Sequence, residues 1–234
     1  MRFCIIYNRR IQESYTIPCN YREYITTLIR DVLDDNANNL DSSNIVIPYT
    51  WALRLAKRPT IDMDGIHIND DNIKLYFSTN SRYIGTKVYN KLIVDKLKIG
   101  TLEFIPLKAM LFADRQINST KASFYTLSPI SIKNYTAKDN YNILPNEDGF
   151  NESFKRTLIS QWKKFMNSSI NIDIKFNITK WKKVVVKHYG GLVISFSGII
   201  DIESRPELLN LIYNIGIGNR RGQGFGMLEL VHGI

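Results

Sequence analysis

The 234-residue sequence predicts an α+β protein with two tandem ferredoxin-like (βαββαβ, RRM-like) units. Three observations support this class. Strand-like and helix-like hydrophobic periods alternate in the βαββαβ order through residues 1–118. The same order then starts again in residues 119–234. Finally, a hydrophobic share of 44% with a charged share of 23% is typical of a globular protein with an adequate core.

The first unit is assigned to residues 1–118. Its helices are predicted where apolar residues recur three or four positions apart, and its strands where apolar and β-branched residues cluster. A polar stretch near Asn69–Asp71 predicts a hairpin turn. In order, the predicted elements are strand Arg2–Tyr7, helix Tyr21–Leu33, strand Ile45–Leu55, the hairpin strands Thr60–Ile68 and Asn72–Ser78, helix Tyr83–Leu97 and strand Gly100–Phe112.

The second unit is assigned to residues 119–234, and no low-complexity linker separates it from the first. The pair Gly190-Gly191 indicates a tight turn between two of its strands. In order, the predicted elements are strand Lys121–Leu127 continued by Ser128–Ile132, helix Asn151–Met166, strands Asp173–Phe176, Val184–His188 and Leu192–Ile200, helix Pro206–Tyr213 and strand Gly226–Val231.

The charge balance indicates a polyanionic partner. The net charge is +9, and nine of the basic residues lie between Lys155 and Lys187, opposed only by Asp173. An isolated lysine is commonly just a solvated side chain, but a block of this kind favours nucleic acid. From this block we predict RNA contacts by Lys155, Arg156, Lys180, Lys182, Lys183, Lys187 and His188.

The cysteines and the apolar runs bear on cofactors and location. Only Cys4 and Cys19 are present, without the spacing of a zinc site, so we predict no metal and no cofactor. Two cysteines cannot build a disulfide framework, which fits a reducing compartment. No signal peptide and no apolar run of about 18 residues is found. We therefore expect a cytoplasmic location and no membrane partner.

Residues 216–226 hold five of the thirteen glycines and two adjacent arginines. A dinucleotide fingerprint is disfavoured because this segment follows a predicted helix and precedes a strand. A nucleotide phosphate loop would need a Lys-Ser or Lys-Thr step. A purely structural loop is the plain alternative. The favoured interpretation is a groove that follows RNA phosphates, formed by Gly216, Gly218, Asn219, Arg220, Arg221, Gly222, Gln223, Gly224, Phe225 and Gly226.

The segment also resembles a known family. Gly216-Ile217-Gly218, five residues, then Gly224-Phe225-Gly226 matches the GhGxxxxxGhG signature of repeat-associated RNA-binding proteins of CRISPR systems, and is similar to the endoribonucleases that process their repeat RNA. Ile17–Tyr21, Tyr125–Ile130 and Asn210–Ile217 extend the resemblance over nearly the whole chain. It implies tandem ferredoxin-like domains with an RNA-binding cleft, CRISPR repeat RNA as the partner, and cleavage without metal.

The resemblance is incomplete at the catalytic positions. Where many relatives have a Leu-His step after the first helix, this chain has Leu40-Asp41, and Arg30 replaces a tyrosine that often closes that helix. A carboxylate near its ordinary pKa is a weak base. The candidate catalytic residues in this chain are Asp41 as base, with Arg30 and Lys57 as cations for the phosphorane. The plain alternatives are a solvated or helix-capping Asp41, an exposed helix arginine at 30 and a loop at Lys57.

Three alternatives stay open. In the first, the chain cleaves repeat RNA by attack of a ribose 2′-OH, giving a 2′,3′-cyclic phosphate. In the second, it is a catalytically weak or inactive RNA-binding subunit of a CRISPR effector complex. In the third, it is an unrelated tandem RNA-recognition protein, whose aromatic strand motif is not found here. Other effector subunits and a second copy of the chain are further partners to consider.

Overall fold

The computed structural model describes residues 1–9, 14–34, 47–55, 59–69, 72–137, 141–166 and 170–231. Within these ranges the elements are, in chain order, β1 (Arg2–Asn8), β2 (Tyr15–Ile17), α1 (Arg22–Asp34), β3 (Tyr49–Leu55), β4 (Thr60–Ile61), β5 (Ile66–Ile68), β6 (Asn72–Thr79), α2 (Arg82–Leu92), β7 (Leu97–Ile99), β8 (Leu102–Phe112), β9 (Lys121–Thr126), α3 (Phe150–Met166), β10 (Lys175–His188), β11 (Gly191–Glu203), α4 (Pro206–Ile215) and β12 (Leu228–Leu230). A short 3-10 turn spans Arg221–Gln223.

The strand order confirms the two ferredoxin-like units. The first sheet has the order β3-β6-β1-β8-β7 and the second has β10-β11-β9-β12. The four main strands of the first unit are, along the chain, β1, β3, β6 and β8, and those of the second unit are β9, β10, β11 and β12. In both sheets their spatial order is second, third, first, fourth. This is the strand order of a βαββαβ unit. Apolar side chains on one face of each sheet join the helices in a separate core, around Phe3 and Phe77 in the first unit and Phe124 and Phe196 in the second.

The hairpin predicted between Thr60–Ile68 and Asn72–Ser78 is wrong. Strand β6 pairs with β1 on one side and β3 on the other, so it lies inside the first sheet. Strands β4 and β5 instead join β2 in a separate three-stranded sheet. The turn predicted at Asn69–Asp71 lies partly outside the described residues. Turn chemistry also does not determine which strands pair when the partners are distant in sequence.

Two further expectations change in the second unit. The predicted strands Asp173–Phe176 and Val184–His188 are parts of one strand, β10, whose register shifts between Thr179 and Lys182. Lys180 has a positive φ of 48° at this irregularity. The predicted continuation Ser128–Ile132 is reduced to isolated bridges at Ile130 and Ser131, since Pro129 has no N–H to donate to a ladder.

Strands β10 and β11 pair along almost their whole length, whereas β9 pairs with β11 only from Ile199 to Glu203. Ile130 adds a single bridge at Phe196, and from Gly191 to Ser195 the hairpin is a two-stranded ribbon that extends beyond its sheet. In the first unit, α2 ends at Leu92, earlier than the predicted Leu97.

The first sheet ends with Phe112 and the second begins with Lys121, and a boundary at residue 118 stays a prediction. No helix in the described ranges has the length and apolar character needed to cross a membrane.

Candidate nucleic-acid interface

The glycine-rich segment is a closed loop. At its base, the Ile217 N–H donates to the Gly226 carbonyl at 2.9 Å, and the Gly226 N–H donates to Pro129 at 2.8 Å. A Cβ at position 226 would lie 1.8 Å from the Ile217 oxygen, and φ of Gly226 is +74°. Glycine is required at position 226 because it has no Cβ and adopts a positive φ without strain. The base therefore depends on close backbone contact within the protein.

Two side chains of β3 hold the loop from the N-terminal unit. The Trp51 indole N–H donates to the Gly222 carbonyl at 3.0 Å, and the Thr50 hydroxyl donates to the Phe225 carbonyl at 2.9 Å. A Cβ at Gly224 would lie 2.6 Å from the Trp51 ring. Glycine is required here because the loop backbone packs directly on a tryptophan of the other unit.

The C-terminal unit holds the loop from its other side. Gln161 of α3 donates from Nε2 to the Gly216 carbonyl at 3.0 Å and accepts from the Gly218 N–H at 3.3 Å. Asn219 donates its N–H to the Ser131 carbonyl at 2.8 Å, while its Oδ1 accepts from the Lys133 N–H at 2.9 Å. Both units therefore fix the loop through directed hydrogen bonds.

These contacts give the glycines a role within the protein, and the RNA contacts predicted for them stay a prediction. The sequence predicted that they let the backbone approach RNA phosphates, but their side-chain positions face protein atoms instead. The buried members of the loop shape it and do not form its exposed surface; they are Gly216, Gly218, Gly222, Gly224, Phe225 and Gly226.

The two arginines of the loop have different environments. Arg220 is exposed, adopts the left-handed conformation with φ 60°, and donates to Gln223 Oε1 at 3.1 Å. Arg221 turns inward, 5.4 Å from the centre of the Phe165 ring, and donates to the Ile215 carbonyl at 3.4 Å. Burial lowers the pKa of Arg221 to about 10. Arg220 is thus the arginine of this loop that is presented to a ligand.

His188 is buried, and its predicted contact with RNA stays a prediction. Its side chain is near Tyr189 and Phe225, and only 3% of the residue is exposed. Nε2 lies 3.1 Å from Gln223 Oε1, and Nδ1 is buried with no hydrogen-bond partner among the described residues. Burial lowers the pKa of His188; the Gln223 hydrogen bond opposes this effect and Arg220 adds to it.

The tip of the β10–β11 ribbon contacts the first helix. The Tyr189 N–H donates to Glu23 Oε1 at 2.5 Å. Arg22 precedes Glu23 in α1. Its Nε lies 3.4 Å from the Gly224 carbonyl oxygen, and its guanidinium is 5.2 Å from the centre of the Phe225 ring. We call this meeting point of helix, ribbon tip and glycine loop the loop junction.

Sequence analysis missed Arg22, Glu23 and Tyr189. Their partners lie 166 to 202 positions away in the chain, and no local pattern marks them. The only available signal was the position of Arg22 and Glu23 at the start of a predicted helix.

The predicted basic contacts lie on two elements. Lys155 and Arg156 are exposed on α3, where the Arg156 guanidinium is 4.7 Å from the Tyr135 ring centre. The remaining lysines are exposed along β10, which is an edge strand of its sheet, where lysine also discourages unwanted strand pairing. These are Lys180, Lys182, Lys183 and Lys187.

Of the predicted catalytic residues, only Arg30 lies in the described part of the chain. It is exposed on α1, eight residues beyond Arg22 and so about 12 Å farther along the helix axis. Asp41 and Lys57 fall outside the described residues.

The other histidines do not add to this site. Nε2 of His67 is 2.6 Å from Asp62 Oδ2 and its Nδ1 is 2.7 Å from the Thr16 hydroxyl, which ties together the small sheet of the first unit. His232 is outside the described residues. In the ranges that the structure describes, no three His, Cys, Asp or Glu side chains are grouped as metal ligands.

Two ferredoxin-like units joined through a buried glycine loop define a tandem ferredoxin-like protein of the glycine-loop class. The family description "CRISPR associated protein Cas6, C-terminal" matches residues 112–230, and the chain belongs to this family.

Similar proteins cover most of the chain. It is 25% identical over 223 residues to "CRISPR-associated endoribonuclease Cas6 1" of Methanocaldococcus jannaschii, covering 91% of this chain and 86% of that protein. It is 22% identical over 183 residues to "Putative CRISPR-associated endoribonuclease-like protein Cas6nc" of Pyrococcus horikoshii, covering 75% of each chain.

Solved structures share the fold. "Characterization of a Cas6-related gene from Pyrococcus furiosus" aligns with a TM-score of 0.85 and 18% identity over 100% of this chain and 99% of that one. A "Cas6 (TTHB231) product complex" aligns with a TM-score of 0.67 and 13% identity over 98% and 99% of the two chains.

Proposed function

We propose that this chain binds CRISPR repeat RNA and cleaves it within the repeats to mature guide RNAs. The observation that carries the proposal is the loop junction, where Arg22 of the first helix meets Gly224 of a Cas6-family glycine loop that also carries the exposed Arg220. A guanidinium in such a place can bind phosphate oxygens through paired N–H donors. The names of similar proteins, which include an endoribonuclease and a product complex, support the same function.

RNA is held, in this proposal, by two cationic surfaces. Arg220 contacts a phosphate at the loop junction, and the exposed lysines of β10 contact the backbone along the ribbon. Because these are contacts to phosphates, they provide affinity and register and do not by themselves read the base sequence.

Cleavage proceeds in the proposal by internal transfer and needs no metal. The ribose 2′-OH loses its proton to a base, and its oxygen attacks the adjacent phosphorus. The bond from phosphorus to the 5′-oxygen breaks, and that oxygen takes up a proton from water. The products are a 2′,3′-cyclic phosphate and a 5′-OH. Asp41 is the proposed base, while Arg30 and Lys57 stabilise the charge on the phosphorane.

A second function is favoured by the histidines. His188 is buried against Gln223 and Phe225 of the glycine loop, and His67 is hydrogen-bonded on both ring nitrogens in the small sheet, so the proposal assigns neither of these described histidines as the acid or base. The Pyrococcus horikoshii relative carries the word "endoribonuclease-like" in its name. The second candidate is therefore a repeat-RNA-binding subunit with weak or no cleavage, held in an effector complex with other subunits.

One experiment separates the two functions. The purified full chain is incubated with its cognate repeat RNA in EDTA, beside RNA carrying a single 2′-deoxy nucleotide at the scissile position. Cleavage of the all-ribose RNA alone, with a cyclic phosphate end, supports the nuclease and its mechanism. Tight binding without cleavage supports the second function. Cleavage of the deoxy RNA at the same position overturns the proposed mechanism.

A further inference from the structure

Gln223 of the glycine loop connects a buried histidine to the exposed arginine of that loop. Its side-chain oxygen, Oε1, lies 3.1 Å from Nε2 of His188, and the Arg220 guanidinium donates to the same oxygen at 3.1 Å. An amide oxygen has two lone pairs, so it can accept both hydrogen bonds at once. We call these three side chains, from His188 through Gln223 to Arg220, the Gln223 relay.

The backbone of the loop brings the two outer members of the relay together. The Gln223 N–H donates to the Arg220 carbonyl at 2.8 Å, and a 3-10 turn spans Arg221–Gln223. Such a turn places residues three positions apart on the same side. The contact between the Arg220 and Gln223 side chains is therefore a direct result of the path of the loop.

His188 is the fixed end of the relay. Its ring centre lies 4.4 Å from that of Tyr189 and 6.0 Å from that of Phe225, and the residue is buried. The backbone beside it is held as well, because the Tyr189 N–H donates to Glu23 of α1. A packed ring keeps its Nε2 in one place, and the Gln223 side chain that meets this atom is oriented by it.

The proton positions in the relay follow from its arginine. A guanidinium only donates, so the atom of the Gln223 amide that faces Arg220 is the oxygen and not the nitrogen. The same oxygen faces Nε2 of His188, and this nitrogen must therefore carry a proton. In the neutral ring Nδ1 then has no proton, and it is buried without a hydrogen-bond partner among the described residues.

We propose that Gln223 and His188 are positioning residues for the phosphate contact of Arg220, an inference that rests on the proposed binding of repeat RNA. An unrestrained arginine loses side-chain entropy when a ligand fixes it, and restraint in advance lowers that cost. The bond to Gln223 uses one of the five N–H donors of the guanidinium, so a pair of the others can still bind a phosphate. Gln223 thus raises the affinity through Arg220 and not through a contact of its own.

A double-mutant cycle on the full chain tests this dependence. Fluorescence anisotropy measures the affinity of the wild type, Gln223→Met, Arg220→Ala and the double variant for repeat RNA. We expect Gln223→Met alone to bind about threefold more weakly or worse, and to cause no further loss when residue 220 is alanine. As the matched control, Gln223→Met should keep its full effect beside Arg221→Met, because Arg221 faces Phe165.

The outcomes of the cycle separate this inference from the proposed function. An equal loss from Gln223→Met with and without the Arg220 side chain overturns the inference alone, because Gln223 would then act through the fold or through its own contact. Failure of the wild type to bind repeat RNA overturns the proposed function and the inference with it.

A second measurement needs neither RNA nor a folded Gln223 variant. Long-range ¹⁵N spectra of the histidine rings in the wild type, at slightly alkaline pH, distinguish the two neutral tautomers, and His188→Gln identifies the signals of His188. We expect His188 to carry its proton on Nε2. A proton on Nδ1 overturns the relay, because Nε2 could then not donate to Gln223.

Discussion

Arg2 and Glu229 form an ion pair with an N–O distance of 3.1 Å, although 227 positions separate them. The Arg2 guanidinium also donates to the backbone carbonyls of Tyr213 and Leu228. Glu229 accepts a further hydrogen bond from the Tyr213 hydroxyl at 2.9 Å. One buried arginine of the first strand thereby fixes the N-terminal unit to the last helix and the last strand of the chain.

Replacement of this arginine should destabilise the whole protein. Arg2→Met leaves Glu229 without its buried cation, and loss of one partner of a buried pair costs about 3 kcal/mol or more. Urea unfolding followed by tryptophan fluorescence measures the change. Lys98→Met, which breaks an exposed pair with Glu103, is the matched control and should stay close to wild type. Equal stabilities of the two variants would contradict the assigned role of Arg2.

Gly226→Ala should be far more damaging than Gly190→Ala. Both glycines have positive φ values, +74° and +73°, but a Cβ at 226 meets the Ile217 oxygen whereas one at 190 meets nothing within 4 Å. Strain alone costs roughly 1–2 kcal/mol, which is the loss expected for Gly190→Ala. The melting temperatures of both variants give the comparison. Similar values would mean that the loop base can relax around a methyl group.

The two loop arginines should separate RNA affinity from stability. Arg220→Ala is expected to weaken repeat-RNA binding and to reduce the slope of log K against log salt by about one, since one phosphate contact is lost. Arg221→Met is expected to leave that slope unchanged, because Arg221 faces Phe165. Fluorescence anisotropy at several salt concentrations measures both. A reduced slope for Arg221→Met with an unchanged slope for Arg220→Ala would show that Arg221, and not Arg220, contacts the phosphate.

His188 should make the protein sensitive to mild acid. Burial lowers its pKa below the ordinary value of 6.5. The unfolded chain therefore binds the proton first as the pH falls, so the stabilisation is complete above about pH 6.5 and is lost progressively below it. Melting temperatures between pH 7.5 and pH 5 should fall less steeply for His188→Gln than for wild type. An unchanged slope in the variant would show that other groups cause the acid sensitivity.

The two cysteines should react differently with alkylating reagents. Burial raises the pKa of the Cys4 thiol to about 11, whereas Cys19 is half-buried. Because the thiolate is the reactive form, iodoacetamide on the native protein should modify Cys19 first. Mass spectrometry after digestion identifies the site, and urea-unfolded protein should label at both positions. Rapid labelling of Cys4 in the native protein would indicate that the first sheet opens readily.

Local hydrophobic periodicity was sufficient to predict the first and last residues of several helices and strands to within one position. The first strand was predicted as Arg2–Tyr7 and is Arg2–Asn8, and the first helix was predicted as Tyr21–Leu33 and is Arg22–Asp34. These segments bury one regular stripe or face, so their period identifies them. The pairing of β6 was not predictable in the same way, because its neighbours β1 and β3 are selected by the packing of the whole sheet.

The glycine loop shows a second limit. Its position and its need for glycine could be predicted from composition, but the reason could not. A Cβ at Gly224 would meet the Trp51 ring and a Cβ at Gly218 would meet the Ser131 carbonyl oxygen. Both partners lie far from the loop in sequence, and they belong to different units. Arg220 and Arg221 are adjacent residues of the same type, so the sequence does not distinguish their environments. Their opposite orientations follow from the left-handed conformation at Arg220, which no residue type at that position announces.

The way in which Trp51, Thr50 and Gln161 hold the loop has a consequence for engineering. Each of them donates to a backbone carbonyl, and every amino acid supplies that acceptor. The scaffold therefore fixes the path of the loop without regard to the side chain exposed at its crown. Position 220 can therefore be varied, among residues that tolerate its left-handed φ of 60°, while the path of the loop is kept.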